Sequence, residues 1–298
     1  GVTRVVVDGA EHSSADGISS LTTTVTDLAQ GRHTLTVTAL DSAGREADPL
    51  HVPVWIEDSD GWSRGVMYYA FMDRFANGDT SIDTSEGATY ELGGYMGGDL
   101  QGLIDALDYL QDLGVNIIWI SNPQDNAEGP WGGDCGTYSG YHGYWPDDAF
   151  AVEEHYGGDQ ALRDLVAQSH ARGIRVVMDW VCNHVHEDHP YYLDHAGDWF
   201  HEQILCKVGD DYSNFDLIPE TCWFAEYLPD IRYYEPAALD AMVEDAIWWA
   251  RTYDLDGFRV DGAKHVPHSV IWNVTSRIEQ EIEHGAAGGS FEFYTVGE

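Results

Sequence analysis

Positive charge is scarce in this sequence. Fourteen lysines and arginines stand against 52 aspartates and glutamates, which gives a formal net charge of −38. Such a surface repels nucleic-acid phosphates and anionic lipid head groups, so we expect neither nucleic acid nor a membrane as a partner. The acidity suits either an ordinary acidic secreted protein or one adapted to high salt, where screening weakens the self-repulsion.

Long apolar runs and cysteines are scarce as well. No run of about 18 apolar residues occurs, which argues against a transmembrane helix. No charged-then-apolar leader follows Gly1, so we expect a secreted, extracellular chain whose signal peptide has been removed, or an excised piece of a longer chain. The four cysteines, Cys135, Cys182, Cys206 and Cys222, allow three pairings. Cys206 and Cys222 bracket one loop-rich stretch, which favours a disulfide between them; free buried thiols are the alternative.

Residues 1–57 carry the signals of a small β-domain. Short apolar or β-branched runs alternate with turn sequences such as Asp8-Gly9. Several strands at this spacing predict a small immunoglobulin-like β-sandwich, joined to the rest of the chain by the polar linker Glu57–Gly61. The predicted strands are Thr3–Val7, Leu21–Asp27, His33–Leu40 and Leu50–Ile56.

Residues 58–298 show a different pattern, in which near-continuous apolar runs alternate with helical stretches. Such strands are buried on both faces of a parallel sheet, so we predict an α/β fold. We interpret the runs as the first five strands of a (β/α)8 TIM barrel, although a doubly wound sheet fits the same alternation. The long irregular stretch at about 184–232 is then an inserted domain, called domain B below. The runs are Val66–Phe71, Val115–Ser121, Ile174–Val181, Gly257–Val260 and Phe293–Val296.

Polar side chains follow these runs, at the points where the strands end. In a barrel the active site forms at the carboxyl ends of several strands, which gathers such groups together. Arg259 and Asp261 are two positions apart on one strand, so they face the same side, and we expect the arginine to lower the pKa of Asp261 and keep it ionised. Glu298 ends the next strand, about 5 Å away, which is the spacing of nucleophile and general acid in a retaining glycosidase.

Several short motifs, taken together and in this order, resemble the α-amylase family, glycoside hydrolase family 13. The resemblance covers residues 62–298, and the combination is far more specific than any one motif. The motifs are Asp73-Arg74-Phe75, Tyr141-His142-Gly143-Tyr144-Trp145, Asp179–His184, Gly257–His265 and Val296-Gly297-Glu298.

The resemblance implies a role for each matching residue. Asp261 would be the nucleophile and Glu298 the acid/base, while Arg259 would orient Asp261 and stabilise its charge. Further matching residues would contact the substrate. The residues that precede the nucleophile in the sequence would contact the sugar where cleavage occurs, and the residues that follow it would contact the sugar on the leaving-group side. These residues are His142, Tyr144, His184, Lys264 and His265.

The resemblance also implies bound calcium, an ion that prefers six to eight oxygen ligands. A first site would use Asn183, Asp230 of domain B and the backbone carbonyl of His265. A second would use the acidic loop after the first strand; turn formation is the alternative for such loops. The ligands of this second site would be Asn77, Asp79, Asp83, Gly97 and Asp99.

These expectations describe a calcium-dependent enzyme that hydrolyses α-1,4-glucosidic bonds of starch through a covalent glycosyl-aspartate. A cyclomaltodextrinase or a glucanotransferase fits the same motifs, and so does a catalytically silent carbohydrate-binding relative. The family's third carboxylate belongs to a seventh strand, which lies after Glu298. We therefore expect a full-length protein, monomeric, that continues by about 100 residues or more, and a 298-residue piece that is inactive.

Overall fold

The computed structural model describes residues 1–57, 61–84, 88–133, 136–283 and 291–298. They form two compact units. The first consists of Gly1–Arg64 with Ile278–Phe293, and the second of Gly65–Arg277 with Tyr294–Glu298. Within the described ranges, no helix has both the length and the apolar character needed to cross a bilayer.

The first unit is larger than the predicted β-domain, because a late segment of the chain packs with it. The Arg32 guanidinium lies 4.5 Å from the centre of the Phe291 ring. The Trp62 indole N–H donates to the Glu292 carbonyl at 3.0 Å. The predicted boundary at residue 57 therefore lies after the last strand of the β-domain. The unit itself extends to Arg64 and also includes Ile278–Phe293.

The first unit contains a four-stranded antiparallel sheet in the order β2-β1-β3-β4. This differs from the predicted sandwich, since the described residues of the unit form no second sheet and Leu21–Asp27 is not a strand. Leu21, Val25 and Leu28 instead line a cavity of about 610 Å³ together with side chains of the sheet. The segment lies against a sheet face rather than beside an edge, so its backbone does not pair. The strands are β1 Val2–Val7, β2 Ala10–Ser13, β3 Gly31–Asp41 and β4 Leu50–Ile56.

The second unit contains a five-stranded parallel sheet in the order β5-β6-β9-β10-β11. After β5, each of these strands pairs with the sheet strand that comes before it along the chain. The strand order therefore does not reverse, as it would in a doubly wound sheet. The order confirms the barrel interpretation, although the described strands do not close a barrel. The strands are β5 Met67–Ala70, β6 Ile117–Ile120, β9 Arg175–Val181, β10 Gly257–Asp261 and β11 Tyr294–Gly297. A separate hairpin pairs β7 Trp131–Gly133 with β8 Gly136–Tyr138.

Amphipathic helices alternate with the parallel strands. Along one helix, Leu162, Leu165, Val166 and Ser169 recur at helical spacing and are all buried. Residues 100–112 form two helices that meet at Ala106. The helices are α1 Met72–Phe75, α2 Leu100–Asp105, α3 Leu107–Asp112, α4 Gly158–Ala171, α5 Pro190–His195, α6 Asn214–Leu217, α7 Pro236–Thr252 and α8 His268–Glu281.

Domain B contains the short helices α5 and α6 and little other regular structure. The favoured disulfide is confirmed, because Cys206 and Cys222 are bonded at an S–S distance of 2.04 Å. Cys182 is a buried free thiol. Cys135 lies outside the described residues.

Candidate active site

The two catalytic candidates lie at adjacent strand ends. In the parallel pair of β10 and β11, Val260 is opposite Gly297, so Asp261 and Glu298 follow at the same end of the sheet. Arg259 joins them: its Nη1 lies 2.7 Å from Asp261 Oδ1 and its Nη2 lies 3.0 Å from Glu298 Oε2. One guanidinium therefore holds both carboxylates side by side, as the sequence predicts. Their catalytic roles stay predictions.

A third carboxylate, that of Asp179, belongs to the same cluster. It accepts from Arg259 Nη1 at 2.8 Å and 3.1 Å through its two oxygens, and from the Tyr144 hydroxyl at 3.2 Å. Asp179 and Arg259 are paired in the register of β9 and β10. No individual role is predicted for Asp179 from its motif, yet an aspartate inside a fully buried strand is a signal for one.

The charges in this cluster do not balance, because one guanidinium faces three carboxylates. Burial raises the pKa of Asp179 to about 6, although Arg259 opposes the shift. Burial, followed by the charge of Asp179, also raises the pKa of Asp261, and Arg259 offsets this only in part. The expected lowering of the Asp261 pKa is therefore wrong in its net direction. The cluster retains a proton more readily than free carboxylates would, while the Glu298 side chain is 60% exposed.

His142 and Tyr144 lie together at the edge of this cluster. The backbone N–H of Tyr144 donates to His142 Nδ1 at 2.9 Å, which leaves Nε2 as the protonated nitrogen. Burial lowers the pKa of His142 to about 3, so the ring is neutral at physiological pH. The rings of the two residues stack with centres 5.6 Å apart. A neutral imidazole donor beside an aromatic ring suits the sugar contacts predicted for this pair.

His184 contacts protein groups beside Tyr144. Its Nε2 lies 2.9 Å from the Tyr144 carbonyl oxygen and its Nδ1 lies 3.4 Å from Asn183 Nδ2, so both nitrogens contact protein groups. Burial lowers its pKa to about 4. His184 therefore helps to hold Tyr144 in place, and its predicted sugar contact stays a prediction.

Lys264 and His265 connect the turn after β10 to domain B. Lys264 Nζ pairs with Asp216 Oδ1 at 2.7 Å, and both side chains are exposed. His265 Nδ1 lies 2.9 Å from the Pro219 carbonyl oxygen, and its ring packs edge-on against Phe224. The predicted leaving-group contacts therefore lie where the barrel end meets the insert.

The first predicted calcium site contains oxygens that lack partners. Among the described residues, Asn183 Oδ1 and both carboxylate oxygens of Asp230 are buried without a hydrogen bond of normal geometry. The Ile231 N–H donates to the Asn183 carbonyl at 3.0 Å, which brings the two chain segments together. Burial raises the pKa of Asp230 well above its ordinary value, and the nearby Asn183 amide opposes this only in part. His201 Nε2 lies 3.9 Å from Asp230 Oδ1, too far for a hydrogen bond. A buried carboxylate without hydrogen bonds is costly, and a divalent cation would remove that cost. These residues fit calcium.

The second predicted calcium loop fits less well. Both oxygens of Asp99 accept backbone N–H groups of the loop and of α2, and Asp79 closes a local turn. Asn77 and Asp83 do lie together, with Nδ2 2.7 Å from Oδ1. A Cβ at Gly97 would lie 2.4 Å from Asn77 Nδ2, so only glycine leaves this space open. Asn77 and Asp83 thus lie beside Gly97, whereas Asp79 and Asp99 have partners without an ion.

Asp125 is a partly buried aspartate outside the catalytic cluster, and its substitution measures the effect of a buried charge on stability. Asp125 has its pKa raised to about 7 by burial and by the neighbouring Glu153 and Asp147 carboxylates. Because the folded-state pKa lies above that of the unfolded chain, the wild type loses stability as pH rises through about 7. We expect Asp125→Asn to have the same unfolding temperature as the wild type at pH 4 and one about 3 °C higher at pH 8. This shift corresponds to a gain of roughly 1 kcal/mol in the free energy of unfolding, after allowance for solvent screening.

The measurement is thermal unfolding of both proteins across this pH range. Asp112→Asn, which changes an exposed aspartate on α3, is the matched control and should show no pH-dependent difference. An Asp125→Asn protein whose unfolding temperature stays parallel to that of the wild type at every pH would contradict the assignment.

Parallel strands in barrel order, with two carboxylates paired at their carboxyl ends, define a protein of the glycoside hydrolase class. The family model for the α-amylase catalytic domain matches residues 69–290. The chain therefore belongs to the α-amylase family, glycoside hydrolase family 13.

Individual relatives agree with this membership. An intracellular maltogenic amylase of Bacillus subtilis (strain 168) is 31% identical over 240 residues, which cover 76% of this chain and 36% of that protein. A cyclomaltodextrinase of a Bacillus species is 32% identical over 250 residues, covering 78% of this chain and 40% of that protein. The crystal structure of an α-amylase from Geobacillus thermoleovorans, in complex with acarbose, has a TM-score of 0.64 at 30% identity and covers 80% of this chain and 47% of that one. The chain thus spans less than half the length of each.

Proposed function

We propose that this chain carries the nucleophile and the acid/base of a retaining hydrolase that cleaves α-1,4-glucosidic bonds in starch and related α-glucans. The observation that supports the proposal is the single guanidinium of Arg259, which contacts the carboxylates of Asp261 and Glu298 at 2.7 Å and 3.0 Å. In retaining enzymes the two carboxyl groups lie about 5 Å apart. Relatives named as amylases, maltogenic amylase and cyclomaltodextrinase support the α-glucan substrate.

In the proposed first step, an Asp261 oxygen forms a bond to the anomeric carbon of the sugar. The bond to the glycosidic oxygen breaks, and Glu298 donates its proton to that departing oxygen. In the second step, Glu298 takes a proton from water, the water oxygen bonds to the anomeric carbon, and Asp261 leaves with its electron pair. Each step inverts the anomeric centre, so the product retains the α configuration.

Within the cluster, Arg259 is the group that supports an ionised Asp261. The chemistry requires one ionised carboxylate and one that holds a proton. Arg259 contacts Asp261 through Nη1 and favours its charged form, against burial and the charge of Asp179, which raise the pKa of Asp261.

We further propose that Asn183, Asp230 and the His265 carbonyl hold calcium, which would fix domain B against the barrel end. The support is the set of buried oxygens without hydrogen bonds at Asn183 and Asp230.

Secretion is a proposal as well. The Cys206–Cys222 disulfide favours an oxidising compartment, although the Bacillus subtilis relative is described as intracellular.

The same intermediate could pass its sugar to a hydroxyl group instead of water, so a glucanotransferase is the second candidate; a cyclomaltodextrinase would use water and differ in taking a cyclic substrate. The test is incubation of the full-length protein with maltoheptaose, followed by NMR of the first products and by chromatography. The proposal predicts α-anomers and only shorter sugars. Products longer than the substrate would show transfer, and initial β-anomers would contradict the retaining mechanism.

A further inference from the structure

Domain B carries a pocket to which neither the motifs nor the proposed mechanism assigns a role. It encloses about 680 Å³ and is called the domain B pocket here. Its lining contains no catalytic, substrate-contact or calcium candidate named above. The side chains that matter for its chemistry are Phe200, Glu202, Ile204, Thr221, Arg232 and Tyr234.

The walls of the domain B pocket are held by the backbone. The Arg232 N–H donates to the Trp199 carbonyl at 2.7 Å, and the His201 N–H donates to the Asp230 carbonyl at 3.0 Å. Thr221 precedes Cys222, which the disulfide ties to Cys206. The pocket is therefore formed before any ligand arrives, which lowers the entropic cost of binding.

The lining combines an accessible aromatic ring with polar groups. Tyr234 is 68% exposed and Ile204 is 47% exposed, so both offer apolar surface at the mouth of the pocket. The Tyr234 hydroxyl contacts Glu220 Oε2 at 3.4 Å, which restrains the ring without covering it. An aromatic face beside hydrogen-bonding groups is suited to a sugar ring, whose own faces are apolar and whose rim is polar.

The charge of the lining favours a neutral ligand. Arg232 and Glu202 contribute one charge of each sign, in a chain whose net charge of −38 repels anions. Arg232 is exposed and lines the pocket, and its guanidinium N–H groups can donate to hydroxyl oxygens. A volume of about 680 Å³ is in the range that accepts a few linked sugar units.

We propose that the domain B pocket is a second α-glucan site, which holds a polymer chain away from the catalytic carboxylates by stacking one sugar on Tyr234. The inference rests on the proposed function for its ligand class. Its consequence is specific: the pocket contributes to binding of long or insoluble glucans and contributes nothing to cleavage of short ones.

Adsorption of the full-length protein to starch granules tests this, alongside hydrolysis of maltotriose. We expect Tyr234→Ala to weaken adsorption about fivefold, from loss of one aromatic contact, with maltotriose kcat/KM within twofold of wild type. Tyr234→Phe keeps the ring and should adsorb like the wild type. Tyr109→Ala on α3, where the tyrosine is 63% exposed outside the pocket, is the matched control and should also be unchanged.

Blocking the pocket is an independent variant. A Cβ at Gly197 would meet no atom within 4 Å, so Gly197→Trp adds a bulky side chain to the lining without a backbone clash. It should reduce adsorption as Tyr234→Ala does. Normal adsorption by both variants would overturn the pocket proposal while leaving the proposed function intact. A loss of maltotriose cleavage as large as the loss of adsorption would do the same. A wild type that neither binds nor cleaves any α-glucan would overturn both.

Discussion

Replacement of Asp261 by asparagine is expected to lower kcat on soluble starch at least about a thousandfold, because an amide oxygen cannot form the glycosyl ester. The substitution keeps the shape of the side chain and its contact to Arg259 Nη1, which is 2.7 Å in the wild type. Initial rates of the full-length protein measure the effect. Folding should not suffer, because burial and Asp179 already disfavour the charge of Asp261.

The unfolding temperature of Asp261→Asn distinguishes a chemical role from a structural one. We expect it to equal or exceed that of the wild type at pH 8. Asp108→Asn, which changes a side chain that is 80% exposed on α3, should leave both activity and stability near wild type. If Asp261→Asn retained more than a tenth of the wild-type kcat, Asp261 would not be the nucleophile.

Replacement of Asp230 by asparagine is expected to separate calcium binding from folding. In the wild type without calcium, a carboxylate that is 1% exposed has no hydrogen bond to either oxygen, and His201 Nε2 lies 3.9 Å from its Oδ1. Removing its charge should therefore raise the stability of the calcium-free protein by about 1–3 kcal/mol. The same change removes a calcium ligand, so added calcium should no longer raise the unfolding temperature.

Calorimetric titration with calcium and unfolding with and without EDTA provide the readouts, and neither depends on activity. Asp79→Asn is the control from the second loop, where the Asp79 carboxylate accepts hydrogen bonds from Ser81 and has no need of an ion. It should keep the calcium response of the wild type. An Asp230→Asn protein that still gained stability from calcium would exclude Asp230 as a ligand.

The parallel sheet and the position of its chemistry could be predicted because they depend on local patterns. Buried strands such as Arg175–Val181 appear as apolar runs, and parallel pairing gathers their carboxyl ends at one edge. Arg259 and Asp261 share a face through simple alternation. The order of the strands could not be predicted this way, because both barrel and doubly wound sheets have the same alternation along the chain.

The features that sequence reasoning missed depend on contacts between distant segments. The net rise in the pKa of Asp261 arises from burial and from Asp179, which lies on another strand. His184 is occupied by the Tyr144 carbonyl, which no motif reveals. In the first unit, Leu21–Asp27 has the composition of a strand, but it covers the sheet face instead of pairing with an edge. β-Propensity indicates that the residues of such a segment suit a strand, but it does not indicate which part of the protein the segment packs against.

The most direct test of the paired carboxylates is to trap the intermediate. The full-length protein is incubated with a fluorinated maltosyl fluoride, whose leaving group is activated and whose ring fluorine slows release of the ester. After protease digestion, mass spectrometry locates the added sugar. A label on the peptide that contains Asp261, absent from Asp261→Asn, is the predicted result. Turnover of the reagent with a label on another carboxylate would contradict it.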